Sequence, residues 1–508
     1  MTNTKTIARN SGWFGLEIIT SAVIALCTSI AINRYLGPQK NAYLIYVSYI
    51  AYLVSSLGGM GIPATTRKYM AEFIGMGDRG TARYIYLRTW LLQAGLATLA
   101  TSGFLFWVLR DANTEYKLAA ALMVLSIWPS MVNSISSQAN AATEDLSTNM
   151  PASIASAITY LVAIAATVFL HWGVIGIGAS LLSMRTVDFL VRFFPTMNRV
   201  IGWETSHVHP PGLRMRMTPF ALQSVASMAV SQIVWGRSEV VLLKNLCSDI
   251  SQVSYYSVAF TMAEQLLLVA TVFGSAVSVT IFAQYGRDKS KLPDLAATAF
   301  RCLAFVSIPL HIIAASLAFP ALLLFYGHKF EGASMVVALA PVLCMFKAFF
   351  APAQSLLQSS ERQIQVISAT VLAGITDIGV AWYLIPAHGA VGACIANGAA
   401  QLMAVGIMWA TVIHLHNVKL PWMQVSKIAL ISALASLAAH FVVARLAPIW
   451  GILAGGSTAI LVFLGLFHLL RVLTPEDHDR FKLLAGMLPR PVSRGLDRLL
   501  LLLSRSEF

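Results

Sequence analysis

Three ionisable residues, Arg185, Asp188 and Arg192, stand at positions i, i+3 and i+7 of one long apolar stretch, so a helix carries all three on one face. Arginine in such a place suits an anion, because its guanidinium is permanently charged and grips a phosphate or carboxylate through two parallel hydrogen bonds. Asp188 is within reach of either arginine, as a structural partner or as an acid that takes up a cation. Arg237, Glu264, Lys347 and Asp377 repeat the pattern in other apolar stretches. Lys347 adds a point charge for the same anion, and Glu264 or Asp377 could instead neutralise it as a structural pair. A charge inside an apolar span is costly and faces a cavity or a partner. The expected arrangement is therefore a cationic cavity carrying Arg185, Arg237 and Lys347, with Arg192 nearer the interface, where it can snorkel. Asp377, then Glu264, then Asp188 are the acids expected to hold a coupling cation, Na+ or a proton. Asn133, Gln138, Gln223, Gln232, Asn397 and Gln401 are weaker candidates for a wet path, since amides also join helices within a membrane.

Other chemistries lack their residues. The chain has no Walker-type phosphate loop, so ATP hydrolysis is not expected. There is no nucleophile–base set, and Cys27, Cys247, Cys302, Cys344 and Cys394 are scattered without metal-ligand spacing. The histidines sit singly, with His311 and His440 read as packed inside spans. Neither an enzyme nor a cofactor or metal centre is expected.

The elements that hold these residues follow from composition. Hydrophobic residues are 57% of the 508 and charged residues 11%, too few charges to clothe a soluble protein of this size. About 20 helical residues cross a bilayer core, and lipid obliges each span to satisfy its own backbone hydrogen bonds. Fourteen spans are expected, near 14–32, 42–60, 87–109, 118–137, 150–170, 173–194, 218–242, 254–282, 297–325, 334–355, 365–385, 389–413, 427–446 and 449–470. The fold class is all-α and polytopic. With the N-terminus inside, 24 of the 35 Lys and Arg residues fall in or beside inner segments and 7 in outer connectors. That is the positive-inside bias, so the net charge of +13 sets topology and does not point to nucleic acid. Both termini are expected to be cytoplasmic.

The longest central connector follows span six and divides the chain. The expected layout is a six-helix lobe (1–195), a basic linker (196–217), a second six-helix lobe (218–413), helices thirteen and fourteen (414–470) and a tail (471–508). In the tail, Arg490, Arg494, Arg498 and Arg505 oppose Leu496, Leu499, Leu500 and Leu503, as in a helix lying on an anionic leaflet.

Several short motifs carry a resemblance. Leu36-Gly37-Pro38 with Asn41-Ala42-Tyr43, and Gly61-Ile62-Pro63-Ala64 leading through Arg67-Lys68-Tyr69 to Gly77-Asp78, resemble the first helices of bacterial polysaccharide exporters. Trp235-Gly236-Arg237-Ser238-Glu239 through Leu243, and Tyr255-Tyr256-Ser257, are similar to that family's seventh and eighth helices. Ala42 stands where Gly is common, and Glu239 where Asp is. The family is the polysaccharide-transporter (O-antigen flippase) branch of the multidrug, oligosaccharidyl-lipid and polysaccharide exporter superfamily. The resemblance implies two six-helix lobes around a central cavity, with two helices outside. It also implies movement of an undecaprenyl-diphosphate-linked glycan from the inner to the outer leaflet of the bacterial inner membrane, by alternating access and often with ion coupling. Membrane lipids and a polysaccharide polymerase or other assembly proteins are the partners it suggests. A lipid II flippase, a multidrug or cation antiporter of the same superfamily, and an integral-membrane polymerase or ligase stay open as alternatives. O-antigen, capsule and exopolysaccharide routes are equally open.

Overall fold

The computed structural model describes residues 4–111, 114–143, 148–205 and 210–470, with side chains from residue 20 onward except at 111, 114, 269, 272, 275, 276, 279, 283 and 286. The amphipathic tail at 471–508 and the histidines of the central linker, His207 and His209, lie outside the described residues. Every described element is helical. The first half holds α1 (Thr4–Gly58), α2 (Ile62–Gly75), α3 (Arg79–Asp111), α4 (Thr114–Leu125), α5 (Ile127–Ala142), α6 (Asn149–Phe169), α7 (Gly173–Ile201), α8 (Leu213–Trp235) and α9 (Glu239–Leu246). The second holds α10 (Ser251–Arg287), α11 (Leu292–Tyr326), α12 (Ser334–Cys344), α13 (Phe350–Ser359), α14 (Gln363–His416), α15 (Trp422–Val443) and α16 (Pro448–Leu469).

Nine of the described helices or joined helices are long and apolar enough to cross a bilayer, or up to ten if the bent pair Thr20–Gly58 and Ile62–Gly75 is one span. Two long runs hide a reversal. In α1, Asn41 Nδ2 donates to Asn33 Oδ1 at 2.8 Å, whereas residues eight apart in a straight helix are about 12 Å apart. The chain therefore turns back at Gly37, whose φ of 75° is open to glycine at little cost, and Pro38 restarts the helix. In α14, a Cβ on Gly392 would come within 2.6 Å of the Leu384 carbonyl oxygen, again eight residues away. That second reversal lies at Gly389, with φ 53°. The two reversals split α1 and α14 where the expected span pairs one–two and eleven–twelve divide, while α8 and α10, at the expected spans seven and eight, are not among the nine helices long and apolar enough to cross. Large apolar side chains such as Leu99, Phe106, Phe169 and Leu461 are exposed, as a lipid-facing surface requires.

Three passes are broken midway, and each break has a local cause. Between α4 and α5 the helix lapses at Ser126, where Pro129 cannot supply the N–H owed to Leu125. Between α12 and α13 a 3₁₀ stretch runs over Met345–Phe349, just before Pro352. The Trp409 indole N–H donates to the Phe349 carbonyl there at 3.0 Å. Between α8 and α9 the backbone becomes extended at Gly236.

By packing, the chain divides into one unit of Met1–Lys244 with Asp249–Ser254, and a second of Asn245–Ser248 with Tyr255–Phe508. In the first, small residues let helices close in. A Cβ on Gly178 of α7 would lie 2.5 Å from the Ala119 carbonyl oxygen of α4. In the second, α11 packs on α15 and α16, and Phe300 meets Phe349 and Trp409 with ring centroids 4.8 Å apart in both cases. The packing boundary differs from the expected lobe boundary at 196–217. The connector itself is shorter than expected, since α7 runs on to Ile201 and α8 starts at Leu213. α8 packs with the first unit because Tyr69 donates to the Arg216 carbonyl at 2.8 Å and Gln232 donates to the Tyr52 hydroxyl at 2.9 Å.

Candidate cationic sites

Two polar stripes meet inside the first unit. On α5, Asn133, Ser137 and Asn140 recur at helical spacing, and on α7 so do Asp188, Arg192, Thr196 and Arg199. Arg192 is 7% exposed, too little to snorkel. It donates to Asp188 Oδ1 at 2.6 Å, to Ser137 Oγ at 3.1 Å and to Ser153 Oγ of α6 at 3.3 Å. Asn133 Nδ2 donates to the other Asp188 oxygen at 2.7 Å. One turn on, Asn140 donates to Asn149 Oδ1 at 2.9 Å and accepts from Thr196 at 3.0 Å and from Arg199. The seam joins three helices, and a buried ion pair held by this many hydrogen bonds has little charge left for a ligand.

Arg185, seven residues earlier on α7, has a different setting. It stands twelve residues after Gly173, about 18 Å along the helix and so near mid-depth. Its guanidinium is half-buried, and among the described residues no hydrogen bond or ion pair reaches it. Its charged or ionisable neighbours are Asp188, which is committed to Arg192, and the phenols of Tyr160 on α6 and Tyr52 on the second arm of α1. Tyr52 is 47% exposed, and its hydroxyl accepts from Gln232. Sequence reasoning missed both tyrosines. Tyr160 gave a usable signal, because it sits mid-span on α6, far from the interfacial belts where tyrosine is usual.

Arg237 and Glu239 lie at the break between α8 and α9. Gly236 N donates to the Gln232 carbonyl at 3.1 Å and Ser238 Oγ to the Ile233 carbonyl at 3.1 Å, which closes the open helix end. Arg237 is half-buried, Glu239 is wholly buried, and both are charged neighbours of the Tyr49 hydroxyl on α1.

In the second unit, Lys347 sits in the 3₁₀ stretch with Nζ 3.6 Å from Glu264 Oε1 and 5.9 Å from the centre of the Phe260 ring. Phe260 lines a small pocket with Tyr256, Leu343, Cys344 and Asn397. Asp377 and Gln401 each stand twelve residues from Gly389, so the reversal in α14 brings them to one depth; both are buried. Gln401 donates to Asn397 Oδ1 at 2.6 Å. His311 is packed as expected, with Nδ1 2.7 Å from the Ser307 carbonyl. Among the described residues no three His, Cys, Asp or Glu side chains gather as metal ligands.

Residues 86–335 match the sequence profile of the family described as polysaccharide biosynthesis protein. No curated protein matches the chain by sequence. Among solved structures, the chain is similar to the lipid II flippase MurJ in an inward closed conformation. The TM-score is 0.70 at 17% identity, over 90% of this chain and 98% of that one. It is also similar to an inward-facing multidrug resistance MATE family transporter of the MOP superfamily, with TM-score 0.66 and 15% identity over 78% of this chain and 94% of that one. A third likeness is to a MOP superfamily transporter from Pyrococcus furiosus, described as having a binding pocket of reverse polarity. Its TM-score is 0.57 at 15% identity, over 81% of this chain and 96% of that one. Residues 86–335 thus resemble that polysaccharide biosynthesis family, and the all-α multi-pass fold of the chain is that of the MurJ and MATE structures.

Proposed function

We propose that the protein is a flippase for an undecaprenyl-diphosphate-linked oligosaccharide, moving it from the inner to the outer leaflet of a bacterial cytoplasmic membrane by alternating access. The observation that carries this is Arg185: a mid-depth guanidinium with no hydrogen bond or ion pair among the described residues, beside two phenols. A diphosphate leaving water loses hydration worth several kcal/mol per charge, and a preformed guanidinium offsets that loss with two short, charge-assisted hydrogen bonds. Tyr160 and Tyr52 add hydroxyls for phosphate or sugar oxygens. Arg237 in the first unit and Lys347 in the second are secondary candidate cations. Asp377, Glu264 and Asp188 are the acids proposed for Na+ or proton coupling, with Asp377 first because it is buried. Both termini are cytoplasmic in this scheme, on the strength of the charge bias. A polysaccharide polymerase or another assembly protein would then take the flipped glycan.

The test is transport by the purified protein in liposomes, scoring arrival of a fluorescent undecaprenyl-diphosphate oligosaccharide in the opposite leaflet. Transport that collapses in Arg185→Ala and partly returns in Arg185→Lys supports the proposal. Movement of lipid II alone would shift the substrate to the peptidoglycan precursor. Movement of organic cations with no lipid-linked sugar would replace the flippase with a drug antiporter.

A further inference from the structure

The break between α1 and α2 bends the chain by 41°. Pro63, in the first turn of α2, has no N–H. In an unbroken helix that N–H would serve the Gly59 carbonyl, since each N–H donates four residues back. The bend serves this carbonyl differently, because Ile62 N donates to it at 2.9 Å. It also sets Met60 at φ 46° and Gly61 at φ 70°. Glycine takes such a φ freely, whereas methionine does so against a steric clash of its Cβ.

Gln93 of α3 stands against this break. A Cβ on Gly59 would lie 3.4 Å from Gln93 Nε2. The Gln93 side chain is wholly buried, and among the described residues neither Nε2 nor Oε1 has a hydrogen-bond partner. A buried amide left idle destabilises the state that leaves it so. The donor it offers is the one that Pro63 lacks. If the break straightened, Ile62 N would turn to the Gly58 carbonyl, and Gly59 would need a donor from outside its own helix.

The two sides of the break differ in freedom. α2 buries Ile62, Thr65, Thr66, Tyr69, Met70 and Phe73, whereas none of residues 52–58 at the end of α1 is buried. Those last turns of α1 also hold α8. The Tyr52 hydroxyl accepts from Gln232, and Ser56 Oγ lies 3.5 Å from Met228 Sδ. A Cβ on Gly61 would collide with the Ala221 carbonyl oxygen, so α8 abuts the bend itself.

We propose that the α1–α2 break is a two-state hinge, bent when Ile62 N serves the Gly59 carbonyl and straight when Gln93 Nε2 serves it, and that the end of α1 carries α8 as it moves. The hinge does not depend on what crosses the membrane, so failure of glycan transport in liposomes leaves it untouched.

The test is methyl NMR of the full-length protein in nanodiscs, labelled with ¹³C-methyl methionine. A Cβ on Gly58 would lie 3.2 Å from the Met131 methyl carbon, so Met131 on α5 reports the hinge. Gln93→Leu removes the donor of the straight state and should shift the ratio of states about tenfold toward bent, the effect of one buried carbonyl left unserved. Met60→Gly favours the positive φ and should move the Met131 resonance the same way. Pro63→Ala supplies the missing N–H and should move it the opposite way along the same line, as exchange between two states requires. Gln93→Leu combined with Pro63→Ala should bring it back toward the wild-type position. The unfolding temperature of Gln93→Leu should be unchanged or raised, because the bent state loses an idle buried amide. A Met131 resonance that ignores these substitutions, or shifts that do not fall on one line, overturns the hinge. Early melting of Gln93→Leu overturns it too, since the amide would then be a brace of the bent state.

Discussion

Arg185 and Arg192 are the same residue type on the same helix, seven residues apart, and the fold gives them opposite surroundings. Arg192 is buried in a seam of Asp188, Asn133, Ser137 and Ser153, and its charge is consumed by the fold. Arg185 has no hydrogen bond or ion pair among the described residues and faces two phenols. The difference comes from the facing helices. α5 presents amides and a hydroxyl at the level of Arg192, while at the level of Arg185 the neighbours are Tyr160 and Tyr52, which cannot neutralise it. A cation inside a membrane domain is therefore assigned by what opposes it, and depth alone does not separate brace from binding group.

The largest effect should come from the brace. Asp188→Ala leaves Arg192 buried without its counter-charge, which should cost about 3–5 kcal/mol of stability, read as a large fall in thermal unfolding temperature in detergent. The double variant Asp188→Leu, Arg192→Met should recover most of that. If Asp188→Ala instead unfolds like wild type but no longer transports, Asp188 is a working acid and the contrast between the two arginines collapses.

Next is Arg185→Ala. It should slow glycan flipping about a hundredfold, the loss of a charge-assisted contact of roughly 3 kcal/mol, with the unfolding temperature nearly unchanged. Arg185→Lys should restore part of the rate, because the charge returns without the fork. A protein that melts early after Arg185→Ala would show that this arginine too is a brace.

Much of this was legible in the sequence. The all-α, multi-pass fold follows from apolar length, and the shared face of Arg185, Asp188 and Arg192 follows from their spacing. The choice of partner for Asp188 was not legible. Arginines at i−3 and i+4 are both within reach of one carboxylate, and Asn133 and Ser137, on another helix, decide between them. The reversal at Gly37 falls in the expected connector and that at Gly389 on the first residue of the expected twelfth span, and helix persists to within a residue of each. Such tight turns leave almost no polar stretch to read.

A smaller effect should come from the contact that places α7. Gly178→Ala would push a methyl against the Ala119 carbonyl, costing about 1–3 kcal/mol as α4 and α7 separate. Because Arg185 is seven residues further along α7, the separation should also slow flipping modestly. A rate that stays at wild type while stability falls would mean that the Arg185 site does not depend on the seating of α4 on α7.

The smallest change in stability should follow Glu264→Gln, and it extends the comparison to the second unit. Lys347 and Glu264 are 3.6 Å apart, yet their side chains keep 26% and 36% of their exposure, so water screens the pair. Its removal should cost no more than about 1 kcal/mol, unlike the pair on α7. Lys347 then resembles Arg185 more than Arg192: a cation at a helix break, with a partner it can release. A cation held loosely by an acid can exchange that acid for a substrate phosphate, and the freed carboxylate can take up Na+ or a proton. Glu264→Gln should therefore weaken the dependence of flipping on an imposed ion gradient while leaving the unfolding temperature within a few degrees. If the gradient dependence persists in Glu264→Gln and vanishes in Asp377→Asn, coupling lies with Asp377 and the Lys347–Glu264 pair is a second brace.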